Sequence, residues 1–201
     1  MQVCRSPAFV RFLAPLAREA FPDRAAAQPD AWTAGNLAAL QARVERSLIR
    51  VDADEVTYPL HIVLRYRIER ALIDGALEVG DLPEAWDTGM RELLGLSTGT
   101  NYRDGCMQDV HWSAGALGYF PTYTLGALLA AQLRQSAVQT IPDLAERIAE
   151  GDLRPLDDWL RERVWQRASL LEAPELIREA TGAPLGTAAF RAHLEERYLT
   201  G

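Results

Sequence analysis

The chain has 201 residues, enough for a domain with a substantial hydrophobic core. Its composition, 48% hydrophobic and 24% charged, is that of an ordinary globular protein, and no apolar run is long enough to span a bilayer, so no membrane partner is expected. A net charge of −7 argues against a nucleic-acid partner, since a phosphate backbone calls for a basic surface.

Taken in chain order, helical signals dominate. Pro7 to Ala20 places Phe9, Phe12, Leu13, Leu16, Ala17 and Ala20 at helical spacing, and Phe21-Pro22-Asp23 closes that element. Asp23 to Asp30, rich in Ala and Pro, reads as a loop, and Thr33 to Arg46 as a second helix. A third helix is expected from Leu48 to Asp74, capped by Gly75, with Pro59 inside it as a kink that frees the carbonyl of Glu55. Asp81-Leu82-Pro83-Glu84 has the form of a capping box with an early proline and opens a helix to Leu94. Gly95 to Gly105 is polar and Gly-rich, a long loop of the kind that often serves function. Further helices follow Pro121, Thr140 to Asp143, Arg154-Pro155 (through Trp165) and Ala173-Pro174 (to Gly182), and Thr187 to Tyr198 forms another. The expected class is all-α, a single helical domain over residues 1–201, with little or no β-sheet.

The residue inventory excludes several chemistries. Two cysteines, Cys4 and Cys106, are too few for a disulfide scaffold or a thiolate metal site, and they fit a reducing, cytoplasmic location. Cys4 reads as a small buried residue. The opening MQVCRSPAFV has no long apolar stretch and is not read as a signal peptide. All 21 basic residues are arginine, a coding bias that nonetheless supplies planar forks suited to carboxylates. The histidines His61, His111 and His193 are not spaced three or four apart, so no helix offers two imidazoles to one metal. No nucleophile elbow, P-loop or dinucleotide fingerprint is present.

Two segments concentrate candidate chemistry. On a helix, Arg50, Asp54, His61 and Arg65 fall within a narrow arc, while Ala53, Val56, Leu60, Val63 and Leu64 lie on other sides. Such a stripe is either a solvated face or the lining of a cleft. The second segment gathers Gln108, Asp109, His111, Trp112, Tyr119 and Tyr123 around glycines ahead of a helix. Gln, His and Tyr can donate to an oxyanion; the same residues can also be an aromatic loop packed on the core.

Both segments resemble the carboxypeptidase Taq family of zinc metallopeptidases. Ile49, Arg50, Ala53 and Asp54 match its Ile-Arg-x-x-Ala-Asp pattern, continued by ADEVTYPLHI at 53–62. Gly105, Gln108, Asp109, His111 and Trp112 match Gly-x-x-Gln-Asp-x-His-Trp, followed by GYFPTY at 118–123. RPLDDWLRE and PELIREATGAPL are similar as well, so the resemblance covers nearly the whole chain.

The resemblance implies that Arg50 receives the free C-terminal carboxylate of a peptide, with Asp54, one helical turn away, holding it in place. It implies that Tyr123 donates to that carboxylate or to the tetrahedral intermediate, and that His111 is an oxyanion donor. Gln108 and Asp109 would orient the loop, Tyr119 would join the substrate wall, His61 would line the cleft or sit in the core, and Trp112 would pack. The family's zinc, which polarises the scissile carbonyl and activates water, is held by a His-Glu-x-x-His helix and a Glu of a His-Glu-Ser motif. Neither motif occurs here, and both are expected upstream of the matched region. The chain is therefore expected to be the C-terminal half of a metallocarboxypeptidase, without a cofactor of its own and inactive alone. Its expected partners are peptide C-termini and either a separate N-terminal half or further copies of itself. The alternative is a non-catalytic helical interaction module of the same descent.

Overall fold

The computed structural model describes residues 2–199, which form ten α-helices and contain no strand. The helices are α1 Pro7–Ala20, α2 Pro22–Ala27, α3 Ala34–Gln41, α4 Tyr58–Ile73, α5 Leu82–Leu94, α6 Pro121–Thr140, α7 Leu144–Ala149, α8 Arg154–Leu160, α9 Ala173–Thr181 and α10 Ala188–Leu199. The all-α expectation holds. None of these helices is long and apolar enough to cross a membrane.

Three expected boundaries are corrected. Residues expected as a loop after Phe21 fold as α2, because Pro22 pre-sets the first helical φ and the Ala run propagates the turn. The second helix stops at Gln41 rather than Arg46, although Thr33 does cap its start by accepting from the backbone N–H of Asn36. The long third helix does not exist as one rod. Arg50–Asp52 make a short 3-10 turn, Ala53 is extended, and α4 begins only at Tyr58. Pro59 lies in the first turn of α4, where its missing N–H costs nothing, so it starts the helix instead of kinking it.

Contacts divide the chain into two compact units, Met1–Arg43 with Ala127–Gly201, and Val44–Gly126. In the first, Ala8, Ala137, Leu144, Ile148 and Trp159 form the core, with Val3, Phe9, Leu133 and Leu156 packed around it. Helix α1 buries Ala8, Val10 and Ala14, whereas Leu16 of the expected stripe is 45% exposed. Small residues let neighbouring helices approach α1 closely, a packing reason that a count of large apolar residues misses. Cys4, expected to be buried, is exposed. The buried Gln132 of α6 donates to Thr181 Oγ1 and to the carbonyls of Ala183 and Pro184, while its Oε1 accepts from Gly186.

The second unit is built on the α4–α5 pair. Trp86, Met90 and Leu94, one turn apart on α5, pack on Leu64 and Ile68 of α4. Each such burial contributes about 2 kcal/mol before entropy is counted. The helices approach closely at Gly89, where a Cβ would fall 2.3 Å from Leu64 Cδ1. Helix α5 starts where the sequence predicts, but Asp81 makes no side-chain cap bond. Gly95, at φ 66°, ends it in the left-handed conformation that glycine tolerates.

Residues 95–120 carry no regular helix and are tied down by side chains. Asp87 Oδ1 accepts from the backbone N–H groups of Thr98 and Gly99 and from Ser97 Oγ. That cluster holds the Asp87 carboxyl down at about 2, with the bonds from Gly99 and Ser97 as the main causes. A long loop is thereby fixed without a core of its own.

Candidate functional site

The site lies within the second unit. Arg50 enters it from the 3-10 turn, Tyr58, His61, Arg65 and Glu69 from α4, and Gln108 to Phe120 from the long loop. Tyr123 comes from the first turn of α6.

Asp109 is the hub. Its Oδ1 accepts from Arg50 Nε at 3.1 Å and Nη2 at 2.7 Å, and its Oδ2 accepts from Arg65 Nε at 2.6 Å. Burial alone would raise the Asp109 carboxyl, but hydrogen bonds from Arg50 and the charge of Arg65 more than offset it and hold it below the usual carboxylate range. Arg50 is itself buried, and Asp109 and Tyr58 outweigh that burial to keep its guanidinium charged. Its Nη1 donates to Tyr58 Oη at 2.9 Å. Three of its five N–H donors are thus engaged, and two remain. The rings of Tyr58, Phe120 and Tyr123 surround the guanidinium at 5.8, 5.7 and 5.2 Å.

Gln108 staples the loop. Its Oε1 accepts from Arg50 N at 2.9 Å, and its Nε2 donates to the carbonyls of Leu48, Asp104 and Gly105. Both N–H donors and one lone pair of its amide are used inside the protein, where it holds Arg50 and the loop together. The expectation that Asp54 holds Arg50 is corrected. With α4 starting at Tyr58, Asp54 forms a turn ahead of the helix, accepting from Val56 N, Thr57 N, Thr57 Oγ1 and, across the chain, Glu45 N. Burial would raise its carboxyl, and the bonds from Thr57 and Glu45 bring it below the usual range.

His111 Nε2 lies 3.1 Å from Tyr123 Oη, and its Nδ1 lies 3.8 Å from Asp109 Oδ1. With its proton on Nε2, His111 donates to Tyr123 Oη and leaves the phenol O–H free to donate outward; with it on Nδ1, the phenol proton goes to Nε2 and the remaining N–H is buried on the side of Asp109. Burial, then the neighbouring Tyr119, push the Tyr123 phenol above its usual range, so it stays protonated near neutrality. Tyr119 is half exposed and stacks at the edge, 5.6 Å from His111 and 5.4 Å from Tyr123.

His61 is completely buried and does not line a cleft. Neither ring nitrogen has a hydrogen-bond partner among the described residues. Burial, then the charges of Arg65 and Arg50, lower its pKa to about 4, so it is neutral. Trp112 packs edge-on against Trp86 and Phe120, as the packing expectation has it.

Sequence reasoning placed Arg65 in the ionisable stripe without giving it a specific role, and gave none to Glu69, Tyr58 or Phe120. The signal was there in part, since His61, Arg65 and Glu69 sit four apart on one face of α4, and all three are buried. Glu69 accepts from Trp112 Nε1 at 2.7 Å and from the backbone N–H of Gly118, clamping both ends of the turn that follows His111. Among the described residues no three His, Cys, Asp or Glu side chains converge to hold a metal. His111 is engaged by Tyr123 and lies near Asp109, and His61 is sealed in the core, so this donor set does not fit a metal centre. What the arrangement offers is a caged cation with spare donors beside a phenol–imidazole couple.

Comparison with known proteins gives a consistent result. The family model described as carboxypeptidase Taq (M32) metallopeptidase matches residues 1–198. Thermostable carboxypeptidase 1 of Thermus thermophilus is 48% identical over 155 residues, 77% of this chain and 30% of that protein. Thermostable carboxypeptidase 1 of Pyrococcus furiosus is 37% identical over 196 residues, 97% of this chain and 38% of its own length. Among solved structures, metallocarboxypeptidase 1 of Trypanosoma cruzi superposes with a TM-score of 0.94 at 46% identity, over 99% of this chain and 41% of that one. The carboxypeptidase of Deinococcus radiodurans R1 gives 0.92 at 37% identity, over 98% of this chain and 39% of that one. The chain thus spans between 30% and 38% of the length of these two curated relatives.

Proposed function

The chain belongs to the carboxypeptidase Taq (M32) metallopeptidase family, and on that premise we propose that it forms the wall of a metallocarboxypeptidase that grips the free C-terminal carboxylate of a peptide. The observation that carries this reading is Arg50, a caged guanidinium with two unused N–H donors. A terminal carboxylate meets it with a charge-assisted fork, whereas a mid-chain peptide group brings no charge to pair. The His111–Tyr123 couple, 3.1 Å apart, supplies a proton donor to an oxygen of the same peptide. Gln108 and Asp109 act on Arg50 and the loop, and Tyr119 forms the exposed rim. The described residues do not fit a metal, so bond cleavage and its zinc are assigned to the remainder of a complete enzyme. By this reading the chain alone binds peptide C-termini and does not cut them.

The test is a titration of the chain with N-acetyl-dialanine and with its C-terminal amide, followed by NMR. The acid should bind about tenfold more tightly, the worth of one charged hydrogen bond. Arg50→Gln should erase the difference. Equal affinity of the parent chain for acid and amide overturns the reading.

A further inference from the structure

Asp109 is shared by two guanidiniums, and only one of them, Arg50, has a place for a ligand. We propose that Arg65, which lies wholly inside the protein, sets how strongly Arg50 attracts a carboxylate, by taking up part of the Asp109 charge. This rests on the reading of Arg50 as the carboxylate receptor.

The geometry divides Asp109 cleanly. Both Arg50 contacts fall on Oδ1, and Arg65 holds Oδ2, with Arg65 Nη2 2.5 Å from that oxygen. Two guanidiniums against one carboxylate leave the Arg50–Asp109–Arg65 triad at net +1. Without Arg65 the Arg50–Asp109 pair would be neutral, and the Asp109 charge would offset much of the attraction that an arriving carboxylate feels for Arg50. Arg65 forms its ion pair with Asp109. Its Nη1 donates to the His61 carbonyl at 2.9 Å, an uncharged partner. Its guanidinium lies over Trp86 at 4.6 Å and near Phe120 at 5.4 Å, faces that stabilise a cation without an opposing formal charge. Glu69, one turn further along α4, keeps its charge but turns its carboxylate to Trp112 and Gly118, whereas Asp109 is the carboxylate that acts on Arg65. Arg65 is therefore a positioning residue that preserves the pull of Arg50 from behind.

The test measures the ratio of Kd for the C-terminal amide to Kd for N-acetyl-dialanine on the 201-residue chain, Arg65→Gln, Asp109→Asn and the double variant. The ratio of about ten in the parent chain should fall toward one in Arg65→Gln. It should recover in the double variant, where Arg50 again stands at net +1, and should rise above the parent value in Asp109→Asn. A purely structural role for Arg65 predicts that a second substitution in the cluster makes binding worse. A retained ratio in Arg65→Gln, or no recovery in the folded double variant, overturns the proposal and leaves the receptor role of Arg50 standing. A ratio of one in the parent chain overturns both. Should Arg65→Gln fail to fold, Asp109→Asn decides, and an unchanged or lower ratio there overturns the proposal.

Discussion

Glu69 and Trp112, 43 positions apart in sequence, are joined by a hydrogen bond of 2.7 Å from the indole Nε1 to the Glu69 carboxylate. The other carboxylate oxygen accepts from the backbone N–H of Gly118. Between these two anchors runs the turn that begins beside His111 and ends at Tyr119 and Phe120. Glu69→Ala removes both anchors and leaves a half-buried indole N–H unpaired, at a cost of about 2 kcal/mol. Glu69→Gln keeps one accepting oxygen and should cost about half of that. Urea unfolding followed by tryptophan fluorescence measures both. Equal stability of Glu69→Ala and the parent chain would remove Glu69 from this role.

Gly151 tests the packing of the first unit. It adopts φ +81°, and a Cβ there would fall 2.4 Å from Phe12 Cε2. Gly182 adopts φ +78° with nothing within 4 Å of a built Cβ. Gly182→Ala therefore reports only the left-handed backbone, about 1 kcal/mol. Gly151→Ala adds a clash with an aromatic ring and should lose about 2–4 kcal/mol in all. Thermal melts of the two variants should differ clearly, and equal losses would mean that Phe12 moves aside freely.

His61 gives the second unit a pH dependence of defined sign. Its pKa falls from an ordinary 6.5 to about 4 in the folded protein, chiefly through burial and then through Arg65 and Arg50. Between those values the unfolded chain takes up a proton that the folded chain refuses. Stability is fully present above pH 6.5 and declines as pH drops toward about 4, by about 3 kcal/mol in all. The lowered carboxyl of Asp109 contributes below this window, since its ordinary value is 3.8. Urea titrations at pH 7 and pH 4.5 should show the loss, and His61→Gln should flatten it. An unchanged slope in that variant would assign the acid sensitivity elsewhere.

The sequence by itself determined the helical class, most helix starts and stops, and the two segments that meet at the site. Prolines at Pro83, Pro121, Pro155 and Pro174, and glycines at Gly95 and Gly182, act through local φ preferences, which need no tertiary context. Family motifs around Arg50 and His111 were legible for the same reason, as contiguous text. The pairing across segments was not. A helical wheel drawn through Leu48 to Asp74 put Asp54 beside Arg50, but the chain unwinds ahead of Pro59 and gives that place to Asp109, 59 positions away. The burial of Arg65 and Glu69 was equally hidden, because a charged stripe looks the same whether water or a partner loop covers it. Only tertiary structure decided that, by bringing residues 95–120 over α4, where one carboxylate could serve two arginines.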